Sequence, residues 1–350
     1  MNHKNIKLIV SVILVIIFSC DKPETIVTNI VHKDGSITRR LEMRNSTNNF
    51  KISDIQVPFD STWSRRDSIE ISDKGDTTWV IRAEKWFANA DQINLSYKSD
   101  SGKNRNRIRY AEFSKKFRWF NNIYRFSETI EKNFTYGYPV KNYMNAEELS
   151  WFYSPAHDTQ ARLAGPDSLK YKAFADTVEK RWEEWLFACF VSEWAGEFSE
   201  QLGEETKLKL NQDTLKGWEE RILKILMENQ NDFDSLWLSG YVLNNCLGEQ
   251  NAKMFKNEAD SALAIAEDRL MIPFDDYTLR ILMPGNLIAS NGFSDSSQVL
   301  LWPVMSDYAF TEDYIMWAES KVPNIWAWVV SGVFILFVIT GLVIRKKKRG

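Results

Sequence analysis

Carboxylates set beside tryptophans are the first residues in this chain that could do chemistry. Glu183 and Glu184 sit between Trp182 and Trp185, and Glu193 and Glu197 lie four apart. Two facing carboxylates can act as acid and nucleophile in glycan hydrolysis. The same spacing describes the wet face of an amphipathic helix. Glu183 and Glu193 are therefore hydrolase candidates, and no catalytic residue is assigned. Other reactive types are scarce. The chain holds 3 His and 3 Cys, with no Cys/His metal spacing, phosphate loop or nucleophile elbow. No cofactor and no metal are expected. Cys189 and Cys246 lie in apolar helical contexts, and spacing leaves open whether they pair or stay as buried thiols.

A second group is basic. Nine Lys or Arg fall between Lys98 and Arg125, against Asp100 and Glu112. Arg105, Arg107 and Arg109 fall on one side of a strand, because side chains alternate. Lys115, Lys116 and Arg118 follow, interleaved with Phe117, Trp119 and Phe120. In the cytoplasm such a run would suit single-stranded nucleic acid, but the export signals described below argue against that partner. At a membrane it suits anionic headgroups or an anionic envelope polymer, each cation contributing on the order of 1 kcal/mol. A solvated outer sheet face is the plain alternative.

A third group is hydroxylic. Eleven of the 22 Asp residues precede Ser or Thr, where composition gives roughly three. Eight of these pairs continue with Ala, Ile, Leu, Val or Thr, placing hydroxyls at Ser61, Ser68, Thr77, Ser168, Thr177, Thr214, Ser235 and Ser261. The pattern resembles the short O-glycosylation signal of exported Bacteroidota proteins. Helix capping explains such pairs equally well.

The two ends say where these groups sit. Ile325 to Ile344 carries no charge and, at 1.5 Å per residue, is long enough to cross roughly 30 Å of hydrocarbon. Trp326 and Trp328 stand at its start, and Arg345 to Arg349 follow its end. The positive-inside rule puts residues 345–350 in the cytoplasm and the bulk of the chain outside it. At the other end Lys4 and Lys7 precede the apolar run Leu8–Phe18, which reads as a signal peptide over residues 1–19. Ser19-Cys20 after that run resembles the lipobox of Bacteroidota-type lipoproteins, which implies that Cys20 is lipidated. The expected location is a bacterial cytoplasmic membrane, single-pass, with a periplasmic ectodomain.

The elements that must position these residues change character along the chain. Residues 25 to about 140 alternate as strands, with hairpin signals at Asp34-Gly35 and Asp73-Lys74-Gly75-Asp76. Strands are expected over Phe50–Val57, Arg105–Tyr110 and Lys116–Thr129. Residues 145–267 are helical in period, and Asn145 is a plausible cap. Strands return over Tyr277–Met283, Leu287–Ser290 and Val299–Val304, and Glu312–Ser320 is a short amphipathic piece. Residues 21–144 hold 22 cations and 16 carboxylates, whereas 145–267 hold 12 and 23. The fold class expected is α+β. A membrane-proximal β domain (20–144 and 268–320) would carry a helical insertion (145–267), followed by a transmembrane helix (325–344).

This layout resembles the LppM-like bacterial lipoproteins. The likeness rests on the Cys-led start, the Asp34-Gly35-Ser36 hairpin, and Pro284-Gly285, Asn291-Gly292 and Trp302 before a C-terminal span. The resemblance implies architecture and little chemistry. The function expected is a membrane-tethered extracytoplasmic scaffold that contacts an envelope protein partner and no nucleic acid. The alternatives are an envelope glycan hydrolase and an anionic lipid- or polymer-binding module.

Overall fold

A computed structural model describes residues 23–51, 55, 57–100, 108–153, 166–202, 212–228, 233–270, 276–294, 299–305 and 307–347. The strands in chain order are β1 (Glu24–Val31), β2 (Ile37–Asn45), β3 (Ser64–Ile71), β4 (Thr77–Phe87), β5 (Arg109–Phe117), β6 (Asn121–Ile130), β7 (Tyr277–Leu282), β8 (Asn286–Ser290), β9 (Phe293–Ser294), β10 (Leu300–Val304) and β11 (Tyr314–Pro323). The helices are α1 (Ala90–Lys98), α2 (Ala146–Phe152), α3 (Pro166–Leu202), α4 (Gln212–Glu228), α5 (Phe233–Leu238), α6 (Tyr241–Leu247), α7 (Glu249–Met254), α8 (Lys256–Leu270), α9 (Tyr308–Thr311) and α10 (Ile325–Lys347). The protein is a mixed α+β molecule with two compact units. One comprises residues 23–130, 277–304 and 315–350; the other takes 131–276 and 305–314.

The first unit is built on two sheets. Seven strands run in the order β3-β4-β2-β1-β7-β10-β9, and four in the order β5-β6-β11-β8. The β1–β2 hairpin turns over residues 32–36, with Val31 opposite Ile37. Period-two alternation buries Val27, Val31, Ile37, Leu41 and Met43, as expected where one face of a sheet is covered. The other edge of β1 pairs in parallel with β7, from Ile26↔Thr278 to Ile30↔Leu282, so early and late strands share one sheet. The strand expected over Phe50–Val57 is absent at its described positions, Phe50, Lys51, Ile55 and Val57. The single strand expected over Lys116–Thr129 is a hairpin, because Arg118 and Asn121 close a turn by exchanging backbone hydrogen bonds of 2.8 and 3.1 Å. The amphipathic piece near Glu312 is strand β11, which buries Met316, Ala318 and Ser320 at alternate positions.

A polar network lies inside this unit. Arg39 donates to Asn29 Oδ1 at 2.8 Å, to the Tyr97 hydroxyl at 2.7 Å and to Glu128 Oε2 at 2.7 Å. Asn29 and Tyr97 also donate to the Glu128 carboxylate, and Arg109 approaches it at 3.8 Å. Burial works against the ionised Glu128, but Arg39 and Arg109 outweigh it and hold its carboxyl below the usual range. A buried charge is tolerable only when paired and hydrogen-bonded in this way.

The second unit is helical. Its central helix α3 is apolar on more than one side over 185–191, where every residue is buried, as a helix enclosed by neighbours requires. Val178, Trp185, Leu186 and Cys189 pack with Phe134, Val140, Met144, Phe152, Tyr308 and Phe310. Phe187, Phe190, Val191, Trp194 and Phe198 pack with Trp218, Ile222, Trp237, Val242 and Ala259. Residues 131–144 and 305–314, read from the sequence as part of the β-rich domain, thus supply side chains to the helical core. Asn145 caps α2 in a reciprocal box with Glu148. The two helices expected over Phe233–Leu247 and Asn251–Glu267 are four shorter ones. Gly240 (φ 79°) splits the first and Phe255 (φ −107°) interrupts the second, while Gly248 (φ 75°) lies between the two; both glycines take a backbone region that other residues enter at a cost.

Candidate functional site

Helix α10 is long and apolar enough to cross a membrane, and its side chains are almost wholly exposed. Its 23 residues span about 35 Å at 1.5 Å per residue. Arg345, Lys346 and Lys347 occupy its last turn. A single helix of this kind is compatible with a single-pass anchor.

The start of α10 is locked onto the β5–β6 turn. Asn324, immediately before the helix, donates its backbone N–H to the Phe120 carbonyl at 2.9 Å. Its side-chain amide donates to the carbonyls of Arg118 at 2.8 Å and Trp119 at 3.2 Å. Its Oδ1 accepts from Asn122 at 2.6 Å. Aromatic rings complete the joint. Phe120 meets Trp328 at 4.4 Å between centroids, and Trp326 meets Trp119 at 5.2 Å edge-on and Phe117 at 6.4 Å stacked. The Trp119 indole N–H donates to Ser331 Oγ at 3.0 Å. Ser331 lies six residues, roughly 9 Å, beyond Ile325 along the helix axis. The turn therefore runs alongside the first two turns of the apolar helix.

Next to that joint the outer face of the four-stranded sheet is basic and concave. A cavity of about 240 Å³ is lined by Ser114, Lys116, Arg118, Ile123, Arg125 and Glu319. Ser114 lies opposite Arg125, and Lys116 opposite Ile123. Arg125 stacks over the Trp317 ring at 4.3 Å and reaches the Glu319 carboxylate at 3.7 Å. Lys116 and Arg118 are exposed, and neither side chain meets a carboxylate among the described residues. Three cations thus face one carboxylate in the cavity wall.

The predicted basic run is split by this geometry. Arg105 and Arg107 lie outside the described residues. Arg109 is not on the surface: odd-numbered residues of β5 turn inward, so its guanidinium is buried against Glu128, the Tyr97 ring and the Tyr277 hydroxyl. Lys115 is exposed, but it also has inward parity and lies over the Tyr124 ring at 5.5 Å. Lys116 and Arg118 remain on the outer face, joined there by Arg125. The sequence reading missed Arg125, Trp317 and Glu319 as partners of this patch because β6–β11 adjacency is long-range. It also missed Asn324, for which an Asn directly before an apolar helix was the available signal.

The carboxylates beside tryptophans do not form a hydrolytic pair. Glu193 is fully buried; it accepts from the backbone N–H groups of Thr135 and Tyr136 and pairs with Arg269. Arg269 also bonds Glu197 at 2.6 Å. The i,i+4 pair is therefore a cradle for one arginine. Glu183 and Glu193 stand ten residues apart on one helix, about 15 Å along its axis, beyond the roughly 5–9.5 Å that glycosidases use. Partial burial, then Glu179 and Glu184, raise the Glu183 carboxyl above its ordinary range. Among the described residues no group of His, Cys, Asp and Glu could hold a metal ion.

Cys189 and Cys246 are both buried thiols, with no disulfide between them. Cys189 accepts from the Tyr138 N–H at 3.2 Å, and burial pushes the Cys246 thiol up to about 12. Of the hydroxyls, Ser61, Ser68, Thr77, Thr177, Ser235 and Ser261 are exposed and Thr214 is half-buried. Thr177 donates to the Ala173 carbonyl at 2.8 Å. Ser168 lies in the first turn of α3, and Cys20 lies outside the described residues. Comparison with family models, with curated proteins and with solved structures finds no match to this chain.

Proposed function

We propose that this protein is a membrane-tethered extracytoplasmic scaffold of a bacterial envelope. On this reading its β unit rests at the membrane surface, and its helical unit, carried as an insertion between early and late strands, engages an envelope protein. The observation that supports the reading is the lock between α10 and the β5–β6 turn. Hydrogen bonds from Asn324 and five aromatic rings join the apolar helix to the sheet without an intervening linker. Tryptophans at the start of a span and cations at its end fit an outward start and a cytoplasmic end. A signal peptide and a lipidated Cys20 belong to the same proposal, as does the LppM-like lipoprotein layout. The helical unit has the composition of a docking partner: it is acidic, and Leu238, Tyr241 and Met254 are exposed.

The test is made in cells. Alkaline phosphatase fused after Gly350 should be inactive and a fluorescent reporter there bright. The full chain should stay in the membrane after carbonate extraction, and crosslinking in vivo should capture the same envelope protein through lysines of the helical unit. An active phosphatase fusion, or release by carbonate, would end the proposal.

A further inference from the structure

The concavity beside the α10 joint has a composition and a position that point to one ligand. Lys116, Arg118 and Arg125 line it with the Ser114 hydroxyl, and among the described residues Glu319 is the one carboxylate in its wall. Guanidinium forks and hydroxyls are the groups that hold phosphate oxygens. Arg125 is already fixed by stacking on Trp317, so little side-chain freedom is lost when it binds. Among the described residues Lys116 and Arg118 have no carboxylate to release first. At about 240 Å³ the cavity has the volume of roughly eight waters, enough for a phosphodiester and its glycerol.

Position selects the source of that phosphate. The Arg118 and Trp119 carbonyls are bonded to Asn324 at the foot of the apolar helix, and Trp119 bonds Ser331. Trp119, Phe120, Trp326 and Trp328 form an aromatic cluster of the kind that settles at headgroup level. Arg118 adjoins this cluster in sequence, and Lys116 is one strand step above it. We infer that the concavity of Ser114, Lys116, Arg118 and Arg125 binds the headgroup of an anionic phospholipid in the leaflet that α10 enters. The inference rests on the membrane reading of α10. It adds a lipid preference to the anchor, and Glu319 opposite Arg125 limits the net charge so that one headgroup suffices.

The experiment uses the full chain in neutral detergent micelles, with lipid retention read by native mass spectrometry. Wild type should retain phosphatidylglycerol over phosphatidylcholine. Lys116→Gln/Arg118→Gln should lose roughly tenfold or more of that preference, since each cation near an anionic surface counts severalfold. Lys224→Gln/Lys253→Gln, which removes the same charge from the helical unit, should keep it. Equal retention of both lipids by wild type, or an unchanged preference in the Lys116/Arg118 variant, would overturn the inference. So would competition by inorganic phosphate at concentrations equal to the lipid's, which would mark the site as one for free anions. Failure here with α10 still resistant to carbonate would leave the tethering proposal standing, so the two outcomes are distinguishable.

Discussion

Glu128 shows what single residues contribute. It is fully buried in the β unit, where Arg39, Arg109, Asn29 and Tyr97 surround it. Glu128→Gln would leave Arg39 and Arg109 without a counter-charge and is expected to destabilise that unit by about 3–5 kcal/mol. Because its folded pKa is depressed, its contribution is present above the unfolded value, near 4.3, and is lost as pH falls from there through the folded pKa. Urea titrations of both proteins at pH 7 and pH 3 should show the gap between them narrowing at the lower pH; an equal gap would contradict the assignment. The cysteines allow a second check. With Cys189 buried and the Cys246 thiol raised to about 12, neither should react with iodoacetamide at pH 7.5 until the chain is unfolded, and then both should. Cysteine spacing left pairing open; burial on separate faces of helical packing, which spacing does not encode, decided it.

At the scale of elements, the joint before α10 carries the sharpest expectation. Asn324→Ala removes side-chain bonds to two carbonyls and to Asn122. With roughly 1 kcal/mol net per buried hydrogen bond, the β unit should lose about 1–3 kcal/mol. Proteolysis between β11 and α10 should then become faster in detergent; an unchanged cleavage rate would show that the aromatic rings alone hold the joint. The hairpin turns at Asp34-Gly35 and at residues 73–76, the cap at Asn145 and the long period of α3 were legible in the sequence, because turn chemistry and apolar spacing act over a few residues. The breaks at Gly240 and Phe255 interrupted a continuing helical pattern and were overlooked. Strand parity misled most. Arg105, Arg107 and Arg109 were read as one exposed row, yet Arg109 faces the core, because the buried carboxylate that receives it lies on another strand 19 residues further on.

For the molecule as a whole, the ion cradle at Glu193 ties the centre of α3 to the end of α8 through Arg269. Glu193→Gln should lower the stability of the helical unit by about 1–3 kcal/mol, because the Thr135 and Tyr136 N–H groups and Arg269 lose a charged acceptor while Arg269 keeps Glu197, measured as an earlier loss of helical circular dichroism. The alternation of strand-rich and helix-rich stretches was readable from period alone, and so was the apolar C-terminal helix. Assigning residues 131–144 and 305–314 to the helical core was beyond the sequence, since that depends on which apolar side chains meet, such as Phe134 with Phe310 at 5.3 Å.

The parallel pairing of β1 with β7 places Ile26 beside Thr278, and this orders events in time. A ribosome adding 5–20 residues per second needs roughly 12–50 seconds to supply the second strand after the first. During that interval one flank of β1 has its hydrogen-bonding groups unmet, which is the condition under which strands recruit the wrong neighbour. Nascent chains halted before residue 277 should therefore self-associate, and chains released after residue 304 should not.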